Sequence, residues 1–535
     1  MINFNILFTY YAQDGIIYYH SIGIDVGYLY LSTEVLILDT LIESMDNNTV
    51  EASRFSKWRA IIFPIFKSEI ALFATISLLL FSILFNQNIL RILKNGIIIS
   101  EISVEVISFI KMYCVTPFAG LFVIIYANLV NRFTLYQVFY IFLSIFVVFY
   151  ATFGYVIYPN FDALHISSDN CNYLVESYPH GKWFIVMMAN WSYVLFYVFS
   201  ELWPNIFYML MFWQICNHIS TIDQATRFYR ICALFGNSAV IFAGLFMQSL
   251  SSNEFIYNFL NLNNSKQNLI QISLLTILIS SSISFWCVHR ISKKFKNYKF
   301  EIKIKPKLGI KESFRYLINS KYLWMMLICS AAFGLSMNLV EAVWYSQIKE
   351  LYPSLSDNTE YHSFYVIWTG CAIMFFTIFG GVLMRFFGWF VTTLLTPVII
   401  LVTGSVFFIF TIFNQEIFGI SGSIIGFTVF IGGIQNILSK GIKYSLWDSF
   451  REMLYIPLDV ELKTKGKAAV DLLSSKLGKS LSSGIQSILF ILMPNATYTS
   501  ISPLMMTFFI FTCFAWILAL FSIRKEYDKL TQLEI

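Results

Sequence analysis

Arg91 and Lys94 lie inside an apolar run, Ile70–Ser100, and Lys476 and Lys479 lie inside another, Ala468–Met493. Each pair is spaced i, i+3, so its two cations share one face of a helix. Glu201, behind YVLFYVFS, and Glu341, behind FGLSMNLV, sit mid-run with no basic residue three or four positions away. A partner for either acid must therefore come from another helix. Charge at membrane depth is costly and marks a path for a substrate or an ion. Two cationic pairs and two isolated acids read as the site of a carrier for a multiply charged anion. The cations would take the anion. The acids would hold the cations when no anion is present, or form gate ion pairs that break during transport. The plainer reading of the acids is a static interhelical bridge, and of Arg91 and Lys94 a pair that snorkels to the headgroups. Lys440, Lys443 and Asp448, in LSKGIKYSLWD, fit a phosphate contact and the cytoplasmic end of a helix equally well.

Such charges need helices to hold them at depth. The 535-residue chain is 57% hydrophobic and 13% charged, where soluble domains carry about 25% charge. Windows of about 20 apolar residues select twelve spans, at about 70–93, 106–130, 135–158, 184–213, 228–250, 268–289, 322–347, 364–387, 390–413, 418–439, 468–493 and 501–523. The fold class expected is an all-α membrane protein. The fourth window carries Pro204, which should kink it or end it early. Residues 1–53 are too polar to span and lack the pattern of a cleaved signal peptide. They read as an extension, poorly ordered or lying at the membrane surface. The eight cysteines form no CxxC, the six histidines show no metal-ligand spacing, and no GxxxxGK[ST] loop is present. No enzyme, cofactor, metal or nucleic-acid partner is expected, and the chain is expected to act as a monomer in the bilayer.

With the N-terminus inside, 28 of the 36 Lys and Arg fall on the inner side, and the outer loops hold only Lys182, Lys266 and Lys349. The positive-inside rule thus predicts both termini in the cytoplasm and a place in the cell inner membrane. The basic stretch 290–321 divides the chain into halves of six spans, 54–289 and 322–529, with a tail at 530–535. This is the layout of major-facilitator-type carriers, whose halves are related by an axis along the membrane normal. Short internal matches agree. Aligning Asn88 with Asn338 sets Arg91 opposite Glu341, and aligning Gly236 with Gly478 sets Asn237 opposite Lys479.

Several motifs occur in order: LRILKNG, SELW, FWQICNHI, NLVEAVW, KELYP, LSKGIKYSLWD, YIPLD and KLGKS. Together they resemble the ADP/ATP translocases of obligate intracellular bacteria and plastids, over about Phe55–Lys529. The resemblance implies a twelve-helix carrier that exchanges nucleotides, ATP for ADP in many members and other ribonucleotides in paralogues. It also implies that the two lysines and two glutamates critical for transport are Lys94, Glu201, Glu341 and Lys479. Their neighbours depart from the family pattern. Asn95 stands where an acid is common, Tyr345 where a lysine is common, and Ser474, Ser475, Leu481 and Ser482 where glycines are usual. A ribonucleotide di- or triphosphate is the expected cargo, without strict ATP/ADP specificity.

Overall fold

Hydrocarbon offers no partner to a backbone N–H or C=O, so an apolar run must close its own hydrogen bonds as a helix. The computed structural model describes residues 65–220, 222–252, 266–294, 320–413, 423–455, 457–458 and 467–533, with three short strands near the N-terminus. Among these residues, eleven helical stretches are long and apolar enough to cross a membrane. They run Ile70–Ile102, Val106–Val130, Leu135–Leu164, Trp191–Ile219, Arg227–Ser252, Lys266–Lys294, Lys321–Leu351, Leu355–Gly380, Phe386–Ile412, Ile425–Met453 and Tyr498–Leu530. They match predicted spans one to ten and twelve. The predicted eleventh span is the helix Lys467–Leu492, which includes the apolar stretch Leu477–Leu492.

Local chemistry sets the boundaries. Thr134 and Gln137 form a capping box at the start of span three, and Ser320 and Ser354 cap spans seven and eight. Spans eight and nine turn about Gly388, whose φ of 70° a residue without Cβ adopts freely. Span four differs from its window. It breaks at Asn190, leaving Lys182–Ala189 as a separate short helix. Pro204 does not stop it, and the chain continues as a π-helix, Pro204–Phe212.

Wide turns of this kind often accompany functional sites. Further π-helical stretches lie at Ile98–Ile102, Ile110–Val115, Phe153–Ile157 and Lys443–Trp447. One follows Lys94, one contains Lys111, and two begin three residues beyond Glu201 and Lys440.

The internal matches reappear as packing. A Cβ on Gly236 of span five would lie 3.2 Å from Leu84 Cδ1 in span one. A Cβ on Gly478 of span eleven would lie 3.1 Å from Gly334 Cα in span seven. The Asn88–Asn338 alignment sets Leu84 opposite Gly334, so the same helix crossing occurs in each half. Spans one and four are also joined by the Trp203 indole N–H, which donates to the Ile83 carbonyl at 3.1 Å. Spans seven and ten are joined likewise by Trp344, donating to the Val429 carbonyl at 2.9 Å.

Residues Met1–Ser68 and Glu526–Ile535 form a unit separate from Glu69–Lys525. In it, Thr9–Gln13, Ile16–Ser21 and Ile24–Asp25 pair as an antiparallel meander, with Tyr11 opposite Tyr18 and His20 opposite Asp25. The sequence reading of 1–53 does not anticipate these strands, and the rest of the extension lies outside the described residues. So does most of the basic stretch 290–321.

Candidate functional site

Two buried ion pairs mark the site. Lys94, one turn from the end of the helix Ile70–Ile97, is bonded to Glu201 of span four and lies 4.2 Å from the centre of the Tyr197 ring. Glu341 of span seven accepts from Lys440 of span ten at 2.6 Å. Lys440 also donates to the Tyr365 hydroxyl at 2.5 Å. Side-chain exposure is 7% and 19% in the first pair and 12% and 17% in the second, so little water screens either. The two pairs occupy matching helices of the halves with reversed sign. In the first half span one supplies the cation and span four the acid. In the second half span seven supplies the acid and span ten the cation. Ser200-Glu201 and Ser439-Lys440 stand equally far ahead of their π-helices.

Further cations surround these pairs. Arg91 lies within electrostatic reach of Glu341 and of Tyr345, Tyr365 and Tyr444. Lys111, in the π-helix of span two, donates to Asn338 Oδ1 at 2.5 Å and lies within reach of Glu341, Glu201, Lys479 and Lys440. Lys94 is in turn within reach of Lys111 and Lys479. Asn338 is held from its other side, its amide donating to Ser483 Oγ at 3.0 Å and to the Lys479 carbonyl at 3.5 Å. The Lys479 side chain is exposed, and among the described residues it makes no ion pair. Among the described residues, Arg91, Lys94, Lys111, Lys440 and Lys479 thus lie about Glu201 and Glu341, more cations than carboxylates. Among the described residues no three of His, Cys, Asp and Glu come together as metal ligands.

Of the sequence candidates, the structure brings Arg91, Lys94, Glu201, Glu341, Lys440 and Lys479 into one another's neighbourhood. Lys94 pairs with Glu201, whereas Arg91 lies within electrostatic reach of Tyr444, Tyr365 and Glu341. Lys440, in the last turn of the helix Ser423–Ile442, faces Glu341. Lys443 lies over the rings of Tyr444 at 4.1 Å and Phe333 at 5.3 Å. Asp448 and Lys476 begin and line the helices Asp448–Met453 and Lys467–Leu492, and their side chains lie outside the described residues. Trp203 packs fully inside its half and Tyr444 is exposed. Lys111 is absent from the sequence candidates. The signal that finds it is a lone lysine in ISFIKMYCV, within an apolar window.

Hydrogen bonds also join the halves. Asn95 donates to the Tyr345 hydroxyl at 3.0 Å, Thr116 meets Ser480 at 2.9 Å, and Lys111 reaches Asn338. Lys349 donates to the Ile102 carbonyl at 2.9 Å, Ser356 to the Ser251 carbonyl at 3.0 Å, and His180 Nδ1 meets the Ile491 carbonyl at 2.7 Å. Among the described residues, these bonds lie at mid-helix or toward the end that carries Leu351 and Leu355.

Comparisons with known proteins follow this geometry. The family model described as TLC ATP/ADP transporter matches residues 48–527. ADP,ATP carrier protein 5 of Rickettsia felis is 50% identical over 496 residues, 90% of this chain and 99% of that protein. ADP,ATP carrier protein 3 of Rickettsia prowazekii is 39% identical over 494 residues, 89% of this chain and 99% of that protein. The crystal structure of a bacterial homologue of the human lysosomal transporter Spinster, inward-facing and unoccupied, aligns with a TM-score of 0.43 at 12% identity, covering 88% of this chain and 97% of that one.

Proposed function

Because the chain belongs to the TLC ATP/ADP transporter family, we propose that it exchanges ribonucleoside di- and triphosphates across a membrane by alternating access. The observation that carries this reading is the surplus of cations over carboxylates around Glu201 and Glu341. A di- or triphosphate supplies the missing negative charge, while a neutral or singly charged solute would not. Arg91, Lys94, Lys440 and Lys479 take the phosphates, joined by Lys443 and Lys476. Glu201 and Glu341 stand in for the anion by holding Lys94 and Lys440 between turnovers. An unpaired buried cation is costly, so the halves move readily with a phosphate or a carboxylate in place, which favours exchange over uniport. The chain works without enzymatic chemistry or cofactor, as a monomer. Its halves, 54–289 and 322–529, move about the central site, and its termini and the stretch 290–321 face the cytoplasm of the cell whose inner membrane it occupies.

The test is uptake of a panel of labelled ribonucleotides into bacterial cells expressing the chain, with and without internal nucleotide. Saturable uptake of di- and triphosphates, accelerated by internal nucleotide, is expected. Uptake that inorganic phosphate abolishes and the base does not influence would replace this reading with a phosphate or general organic-anion carrier.

A further inference from the structure

Lys111 is held in a way that neither Lys94 nor Lys440 shares. Those two each have a carboxylate. Lys111 has the Oδ1 of a neutral amide, Asn338, at 2.5 Å, and among the described residues no carboxylate within ion-pair distance. The bond crosses from span two in the first half to span seven in the second. Asn338 cannot follow a departing ammonium, because Ser483 and the Lys479 carbonyl fix its amide and its side chain is buried. Lys111 itself sits in the π-helix Ile110–Val115, on a half-buried flank between both ion pairs. An ammonium bonded to a phosphate oxygen gains the attraction of opposite charges, which a neutral amide oxygen does not supply. A phosphate oxygen arriving here therefore competes well against the amide. Resting on the reading of the chain as a carrier of phosphorylated anions, we propose that Lys111 is a polyphosphate-binding residue. Its ammonium exchanges Asn338 Oδ1 for a phosphate oxygen, and so releases one bond between the halves as the anion is taken.

Binding of inorganic tripolyphosphate to the purified full-length chain, followed by calorimetry, tests this without regard to the base. Lys111→Gln is expected to weaken binding about tenfold, the loss of one charge-assisted hydrogen bond. Lys111→Arg should stay within about threefold of wild type. Asn338→Ala removes the competitor and should bind as tightly as wild type or more so. Wild-type affinity in Lys111→Gln overturns the proposal. A tenfold loss in Asn338→Ala also overturns it, because the pair would then be a structural tether. Should Lys111→Gln fail to insert, Asn338→Ala decides alone by the same two outcomes. A wild-type chain that binds no tripolyphosphate overturns the proposal as well. One that binds it with the expected variant pattern, yet takes up no nucleotide, leaves Lys111 assigned and defeats the exchanger reading instead.

Discussion

Removing one partner of a buried ion pair strands the other, at a cost of about 3–5 kcal/mol. Glu201→Gln and Glu341→Gln keep the shape and remove the charge, leaving Lys94 and Lys440 without their carboxylates. Each is expected to slow nucleotide exchange at least tenfold while the protein still inserts, measured as uptake per amount of protein in the membrane. The reversed double variant Glu341→Lys with Lys440→Glu should recover part of what either single change loses. Normal exchange in both glutamine variants would reduce the pairs to static bridges. A second residue-scale test concerns Asn95 and Tyr345. These are two of the positions that depart from the family pattern, and the structure joins them by a hydrogen bond between the halves. The family's common acid and lysine would make an ion pair there. Asn95→Asp and Tyr345→Lys together should therefore couple by about 1 kcal/mol or more in a double-mutant cycle on exchange rate. Tyr345→Lys alone should shift the inhibition profile among competing nucleotides. Additive effects with an unchanged profile would remove this contact from selectivity.

At the level of helices, the crossing of spans five and one differs from that of eleven and seven in what a methyl group would meet. On Gly236 it meets the tip of Leu80, a side chain that can turn aside. On Gly478 it meets the backbone of Ala331 and Gly334, which cannot. Gly478→Ala should thus cost about 1–3 kcal/mol, in the range of overpacked cores, and Gly236→Ala markedly less. Thermal unfolding of the purified variants checks the order, and equal midpoints would refute it. The spans themselves were legible in the sequence because each must supply an unbroken apolar length. Span eleven was legible although Lys476 and Lys479 weaken its hydropathy. The pairings were not legible, because Lys94 and Glu201 are joined only through the packing of spans one and four. In the sequence, Lys440 with Lys443 and Asp448 fits a phosphate contact and a cytoplasmic helix end equally well. The packing turns it toward Glu341 and Tyr365. Lys111 is as isolated in its apolar window as Glu201 and Glu341, but its orientation depends on a π-helix for which ISFIKMYCV carries no recognisable signal.

For the molecule as a whole, the halves meet through Ser356 and Ser251 near the end that carries Leu351 and Leu355. Alternating access requires that contact to open. Cysteines at 251 and 356 should cross-link on oxidation and stop exchange, and reduction should restore it. Exchange that continues through the cross-link would show that this end need not part. The proposed orientation is tested separately. Thiols introduced near Lys303 should be shielded from impermeant reagents in intact cells and thiols near Asp357 should react, while the opposite pattern would invert the topology. The surplus of cations over carboxylates among the described residues of the site also has an electrical meaning. Whatever the charge of the empty centre, a tetravalent anion crosses with one more negative charge than a trivalent one. One elementary charge moved through 100 mV is worth about 2.3 kcal/mol. Under the proposed exchange, swapping a tetravalent for a trivalent nucleotide is therefore a current, and the voltage of the membrane helps decide which of the two accumulates on which side.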